Sequence, residues 1–205
     1  MKDDRKIVLA ALKASADKAP LPAEAIPPVP TIAPSVENMT DCFLAAAKKN
    51  GATFTRISHR IQTPTAVAAH LREHGEKPEL VLSPALSQLL WQEAGIQIQM
   101  RPPFEDDSVG ATEIAAAAAD SGAMLLTGNN RYALSLSLLP PRHLAVLHAC
   151  DIVPNLAALW KRIGDGMPQL CSLLCGPSRT ADIEQTLTIG AHGPIAVHII
   201  LVEND

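Results

Sequence analysis

Aromatic side chains are scarce in this chain of 205 residues, because Phe, Tyr and Trp together make up only 3% of it. Single-stranded nucleic acids are bound on stacked aromatic side chains, which a chain with so few rings does not supply. Runs of Lys and Arg are also missing, and the net charge is −4. Since nucleic acids and anionic membranes are attracted by basic surfaces, we expect neither of them as a partner.

Metal and disulfide motifs are weak, since the chain has only four cysteines. Cys171 and Cys175 lie four residues apart on a predicted strand, which separates them by about 13 Å, beyond the reach of one metal ion or one disulfide. We interpret them as buried structural thiols. His70 and His74 share a helix face, but no further ligand is apparent, and cations at a helix end complement its dipole. The sequence therefore predicts no metal site.

Motifs for membranes, secretion and nucleotides are missing as well. The chain has no run of 18 apolar residues, and residues 1–16 lack the features of a secretory signal. Neither glycine-rich phosphate-binding motif, GxGxxG or GxxxxGK[ST], is present. We therefore predict no membrane span and no cofactor, and we expect a cytoplasmic protein with reduced thiols.

Aliphatic residues, by contrast, are abundant, because hydrophobic residues make up 47% of the chain and charged residues 19%. This composition can bury a sizeable core. Residues 3–18 predict an amphipathic helix, and six prolines crowd residues 19–35, which favours an extended arm. We predict an N-terminal helix and Pro-rich arm over residues 1–35 and a single α/β domain over residues 36–205. A helix with such an arm often packs on a neighbouring surface, so this extension is a candidate contact in a homo-oligomer.

Short apolar strands alternate with helices after residue 36. Strands are predicted over residues 52–57, 79–83, 96–100, 123–127, 144–147, 170–174 and 196–202. Helices are predicted over residues 39–50, 65–74, 84–94, 112–120, 153–163 and 181–188. This alternation predicts an α/β fold with a mostly parallel sheet and helices on both faces. Ligand sites in such sheets form at the carboxyl ends of strands, so the loops after Met100, Thr127 and Leu174 are candidate sites.

The polar turn over residues 176–184 is the strongest candidate site. On one interpretation, Ser178 and Thr180 only cap the helix that follows. On the other, these hydroxyls and the free backbone N–H groups bind an anion together with the guanidinium of Arg179. Glu184 lies in the predicted first helical turn, where its charge opposes an anion, and it is instead a candidate base.

His192 lies between Gly190 and Pro194, two residues that hold unusual backbone geometry. Its imidazole is a candidate general acid or base, or a donor to a carboxylate. The alternative is a turn histidine that satisfies a nearby carbonyl. The two polar segments are neighbours only if the chain doubles back between them.

Two further charged residues are candidates for a site. Glu113 follows Thr112, a predicted helix N-cap, so its carboxylate either favours the helix dipole or acts as a base or nucleophile. Arg131 lies in a polar loop after a buried strand and either binds a carboxylate or phosphate through its planar guanidinium or serves solubility alone.

Four segments together resemble the LUD-domain family. Residues 176–184 and 190–194, followed by a hydrophobic last strand, resemble its carboxyl-terminal signature. Residues 131–143 look like its arginine, serine-leucine-leucine-proline and histidine run, and residues 118–123 look like its threonine-glycine-threonine element. In this last element the chain departs from the family, since it has Ser121-Gly122-Ala123 and lacks one hydroxyl. The resemblance covers residues 105–202.

The resemblance implies a fold similar to ribose-5-phosphate isomerases, coenzyme A transferases and folate cyclo-ligases. It also implies a role in the oxidation of L-lactate to pyruvate, beside iron–sulfur partner proteins. This chain lacks the cysteine sets of such partners, so we expect a non-redox accessory subunit. A shared fold does not confer an activity. The alternative is an enzyme that binds a small carboxylate or phosphorylated metabolite, with Glu113 or Glu184 as the base and an anion pocket formed by Ser178, Arg179, Thr180 and His192.

Overall fold

The structure is a computed structural model that describes residues 4–16, 38–128, 131–163, 168, 170–181, 187–189 and 193–204. The chain divides into two compact units, residues 1–32 and 33–205. The first unit contains helix α1 (Asp4–Ala16), with four exposed apolar side chains: Ile7, Val8, Leu9 and Leu12. The predicted Pro-rich arm, residues 19–35, lies outside the described residues. In the described ranges, no helix is long and apolar enough to cross a membrane.

The second unit contains four helices and twelve strands among its described residues. The helices are α2 (Met39–Lys49), α3 (Thr63–Glu73), α4 (Arg131–Leu138) and α5 (Leu156–Ile163). The strands are β1 (Thr53–Ile57), β2 (Glu79–Leu82), β3 (Gln97–Gln99), β4 (Val109–Glu113), β5 (Ala116–Ala118), β6 (Ala123–Gly128), β7 (Arg142–His148), β8 (Ile152–Val153), β9 (Leu170–Leu174), β10 (Arg179–Ala181), β11 (Leu187–Ile189) and β12 (Ala196–Val202).

The main sheet has six parallel strands in the order β1-β12-β7-β4-β2-β3. Successive side chains of a strand point to opposite faces. On β12, Ile199 packs in the same apolar cluster as Phe43 of α2, whereas Ile200 packs in the cluster of Leu71 of α3. Helices therefore cover both faces, which explains why the central strands are almost continuously apolar. The predicted α/β fold with a mostly parallel sheet is confirmed.

The predicted helix over residues 112–120 is wrong, because residues 112–113 end strand β4 and residues 116–118 form strand β5 of a second, smaller sheet. Its strands lie in the order β8-β5-β6-β9, and β5 pairs antiparallel with β6. Alanine favours helices, but this preference is weak beside tertiary burial. The three alanines of β5 are at most 1% exposed, and Ala116 and Ala118 pack in one apolar cluster with Leu159 of α5.

A second predicted helix is wrong, and the described residues of a third contradict it. Residues 84–94 form only a short 3-10 turn at the start, because Trp91 folds into the core and its indole N–H donates to the carbonyl of Leu86 at 2.8 Å. Of residues 181–188, the described ones belong to two strands, and β10 pairs antiparallel with β11. Helix α5 begins at Leu156, three residues after the predicted start, where Asn155 Oδ1 accepts the backbone N–H of Ala158 at 2.9 Å.

Helix α4, which the strand and helix pattern did not predict, packs against β4 at a glycine. A Cβ atom on Gly110 would lie 2.2 Å from the carbonyl oxygen of Leu136 and 3.0 Å from Pro140 Cγ. Only glycine permits this close approach of two backbones. The contact holds α4 close to the strand that ends at Glu113.

Candidate functional site

A cavity of about 530 Å³ opens at the carboxyl edge of the main sheet. Strands β2, β4 and β7 are neighbours in the sheet and end there. The polar residues that line the cavity are Ser83, Thr112, Glu113, Thr127, His148, Cys150 and Asp151. Ligands of open parallel sheets bind at this edge, as expected from the sequence. Thr127, which ends the predicted strand 123–127, also lines the cavity, and it lies on β6 of the second sheet.

Glu113 is the centre of the charged groups in this cavity. Its carboxylate accepts a hydrogen bond from Arg60 Nη2 at 2.8 Å, and the same guanidinium nitrogen donates to the carbonyl of Ala85 at 2.8 Å. His148 Nε2 lies 3.7 Å from the same carboxylate oxygen. A carboxylate and an imidazole that lie side by side are groups that can move a proton to or from a ligand.

Glu113 does not lie in a first helical turn, and Thr112 is not an N-cap. Both residues end strand β4, and the hydroxyl of Thr112 lies 2.8 Å from Nε2 of His143 on β7. His143 is completely buried, and burial lowers the pKa of its imidazole from 6.5 to about 3. This neutral pair lies beneath the cavity and joins β4 to β7 next to the charged residues.

Ser83 adds an unpaired hydroxyl to the cavity wall. The residue is 5% exposed, and within the described ranges its Oγ has no hydrogen-bond partner. Buried polar groups normally have a partner, so this hydroxyl is an exception and indicates that a polar contact is missing at the cavity wall. Ser83 immediately follows β2, where its backbone N–H donates to the carbonyl of Ala111 at 2.9 Å.

The cysteines differ from the interpretation as buried thiols. All four are free, and Cys175 is exposed because β9 ends at Leu174 and the chain leaves the sheet there. Cys171 is half-buried on β9. Cys150 is exposed and lies at the cavity, so it is the thiol next to the candidate site.

The polar turn at residues 176–184, called the signature turn below, has its described residue Ser178 at the opposite, amino edge of the main sheet. The backbone N–H of Ser178 donates to the carbonyl of Pro194 at 2.8 Å, and a Cβ on Gly193 would lie 3.2 Å from Ser178 Cβ. Pro194 precedes β12, whose first residue pairs with the first residue of β7. The structure therefore brings the two signature segments together, as a doubling back of the chain requires, but it separates Ser178 from Glu113.

The other predicted site residues are described only in part. Arg131 begins α4, and Arg179 and Thr180 begin β10, where the structure describes their backbone. Glu184 and His192 lie outside the described residues.

Sequence reasoning missed Ser83, Arg60 and His148 as members of the site. Ser83 ends the predicted strand 79–83, and His148 immediately follows the predicted strand 144–147. The rule about carboxyl ends, applied to every predicted strand, would have found these two. Arg60 is 53 positions from Glu113 in the chain, and no local pattern indicates that they meet.

Comparison with known proteins gives a family match and several curated relatives. The family described as LUD domain matches residues 31–202. Lactate utilization protein C of Halalkalibacterium halodurans is 32% identical over 106 residues, which cover 49% of this chain and 46% of that protein. Lactate utilization protein C of Bacillus subtilis is 33% identical, with coverage of 49% and 44%. The chain thus matches slightly less than half the length of these curated relatives.

A solved structure with the same fold is the crystal structure of a duf162 family protein from Deinococcus radiodurans. The two structures agree with a TM-score of 0.60 at 22% sequence identity. The match covers 80% of this chain and 96% of that one. This similarity supports the α/β fold and carries no statement about activity.

Proposed function

The chain belongs to the LUD-domain family, and we propose on this basis that it takes part in lactate utilization. The proposed role is that of an accessory subunit of a cytoplasmic system that oxidises L-lactate to pyruvate with iron–sulfur partner proteins. The observation that carries the proposal is the family match over residues 31–202, together with relatives named lactate utilization protein C. Residues 36–205 are proposed to be the single domain that performs this role.

The cavity at the carboxyl edge is the place where this proposal has a chemical basis. A small hydroxy acid or keto acid fits a volume of about 530 Å³. Its hydroxyl or carbonyl oxygen would bond to the unpaired Ser83 hydroxyl, and His148 beside Glu113 would exchange a proton with it. The chain's own residues would in this way bind and orient the ligand, while electron transfer belongs to the iron–sulfur partners.

Growth on L-lactate tests the proposal in a host from which the gene for this chain has been deleted. We expect the unaltered gene to restore growth and Glu113→Gln to fail, because the neutral amide removes the negative charge that pairs with Arg60 and lies beside His148. Glu93→Gln is the matched control, since Glu93 is an exposed carboxylate away from the cavity, and it should restore growth fully.

Two results would contradict different parts of the proposal. If the unaltered gene does not restore growth, or its deletion has no effect, the role in lactate utilization is wrong. If Glu113→Gln restores growth as well as Glu93→Gln does, the cavity is not the functional site, while the lactate role stands. Thermal melting of both purified variants separates loss of function from loss of folding.

A second candidate function is an enzyme with an anion pocket at the signature turn. The contact of Ser178 with Pro194 favours it, because the two signature segments become neighbours. Arg179, Thr180 and His192 would then bind a small carboxylate or phosphate, with Arg131 as a further candidate ligand residue and Glu184 as the base.

Calorimetric titration with L-lactate, pyruvate and inorganic phosphate distinguishes the two sites. If the signature turn binds the anion, Arg179→Ala should abolish the binding heat, and Arg179→Lys should weaken it because lysine keeps the charge but loses the planar fork. Glu113→Gln should leave it unchanged. Binding that survives Arg179→Ala would exclude the anion pocket at the turn.

A further inference from the structure

Three side chains with metal-binding atoms lie together at the carboxyl end of α3. His70 and Glu73 belong to the last turn of the helix, and His74 is the residue that follows it. One ligand atom from each of the three lies within 4.8 Å of the others. Spacings of three and four residues place side chains on one helix face. The two histidines alone indicated no metal site in the sequence, and Glu73 supplies the third ligand.

A hydrogen bond of the His74 ring leaves one of its nitrogens free to bind a metal ion. Its Nδ1 lies 2.9 Å from the carbonyl oxygen of His70, and a carbonyl oxygen only accepts hydrogen bonds. Nδ1 therefore carries the proton, and in the neutral ring the lone pair is on Nε2. Metal-binding histidines typically donate their other N–H to a carbonyl or carboxylate in this way, which fixes the tautomer and the ring orientation.

His70 supplies a buried nitrogen that lacks a partner. The residue is 5% exposed, and in the described part of the chain its Nε2 forms no hydrogen bond. Buried polar atoms normally have a partner, so an imidazole nitrogen without one is a separate indication that a ligand is missing here.

His198 supports this arrangement without being a ligand. Its ring stacks on His70 with 3.8 Å between the ring centroids. Its Nδ1 lies 2.7 Å from the Thr53 hydroxyl and its Nε2 lies 3.1 Å from the Thr55 hydroxyl, so both nitrogens are in use. The stacked ring restricts the orientation of His70.

The charges around the cluster also permit a cation. Arg142 is the nearby positive charge, and its guanidinium is paired with Glu76 at 3.2 Å. The carboxyl end of a helix carries partial negative charge, which attracts cations. We propose that His70, Glu73 and His74 form a binding site for a divalent transition-metal ion, with zinc as the preferred ion.

The ligand set determines the class of ion. Two imidazoles and one carboxylate suit zinc and its neighbours in the first transition row, whereas magnesium and calcium prefer oxygen ligands alone. Metal–ligand bonds of about 2.1 Å place tetrahedral ligand atoms about 3.4 Å apart. Glu73 is exposed and can close this difference by rotating its side chain. The fourth position would hold water.

The site lies away from the cavity, so its role is structural or regulatory. The cluster lies at the carboxyl end of α3, and none of its three residues lines the cavity, where Glu113 ends β4. A bound ion would hold the last turn of α3 and the residue after it together, beside the ring of His198. It would stabilise the folded chain without touching the proposed lactate site.

Cobalt absorption and zinc titration test this proposal on the full-length chain without a histidine tag. We expect one Co²⁺ per chain with visible d–d bands, which Zn²⁺ displaces and Mg²⁺ does not. His74→Ala should abolish the bands, and Glu73→Gln should weaken zinc binding by at least about tenfold, since even the loss of an outer-shell partner costs that much. Both residues are exposed, so these variants should fold.

The control variants test the alternatives on the same chain. His59→Ala removes another exposed histidine and should bind like the unaltered chain. Cys150→Ser and His148→Ala remove metal-binding atoms at the cavity and should also retain the bands. The proposal is wrong if the chain shows no bands, if His74→Ala retains them, or if the cavity variants abolish them. Growth on L-lactate is measured separately, so failure here leaves the proposed function untouched.

Discussion

Replacing Gly110 by alanine is expected to destabilise the fold by at least about 3 kcal/mol, the upper range for overpacking a core. The added Cβ would lie 2.2 Å from the Leu136 carbonyl oxygen, so helix α4 or strand β4 has to move. Neither element moves easily, because β4 is held by β2 on one side and β7 on the other. Urea unfolding of the variant, followed by circular dichroism, measures the loss of free energy.

Gly95→Ala is the matched control for this prediction. Gly95 has a φ of +73°, and no atom lies within 4 Å of the place that an added Cβ would take, so alanine there meets backbone strain without a clash. We expect a cost of about 1 kcal/mol. If the two variants are equally stable, the approach of α4 to β4 is looser than the structure describes.

Lowering the pH from 7 to 5 should reduce the free energy of unfolding by about 2 kcal/mol through His143 alone. The pKa of this buried imidazole is about 3 in the folded chain, against 6.5 for an ordinary histidine. Between these values the unfolded chain binds more protons than the folded one. The contribution of His143 to the free energy of unfolding is therefore fully present above pH 6.5, and it is lost as the pH falls towards 3. Burial also lowers the pKa of His198, to about 3, which adds to the loss with the same sign.

Urea unfolding between pH 7 and pH 5 measures this dependence, and His143→Gln assigns it. Glutamine keeps a polar group near the Thr112 hydroxyl but does not titrate. The variant should be less stable at pH 7. The slope of its unfolding free energy against pH should be smaller than that of the unaltered chain, by the equivalent of about one bound proton. An unchanged slope would mean that another group causes the acid sensitivity.

Five of the six strands of the main sheet were predictable because they are short apolar runs, whereas β4 lay partly within the predicted helix 112–120 and was missed. Strands β7 and β12 are each seven residues long, and nearly all their side chains are buried, so both faces require apolar residues. Turn glycines likewise marked the ends of α2 and α3. These signals are local, and they are strong where burial is uniform.

Other features depend on contacts between distant residues. The alanines of β5 predicted a helix because alanine favours helices. Their structure is instead determined by the pairing of β5 with β6 and β8. Glu113 was chosen as a candidate from its place in a supposed helical turn, and it is a cavity residue because a strand ends there. Its partner Arg60 comes from a turn 53 positions earlier, which no pattern in a single chain reveals.

Because the chain has only two tryptophans, the fluorescence of each one reports on one of the two larger sheets. The chain has two tryptophans: Trp91 is 1% exposed among the side chains of the main sheet, and Trp160 is 41% exposed on α5 beside the second sheet. A buried indole emits at shorter wavelength than a solvated one, so the fluorescence of the two can be separated. With Trp160→Phe, the remaining emission follows the main sheet alone, and its coincidence with circular dichroism shows whether the two sheets unfold as one cooperative unit.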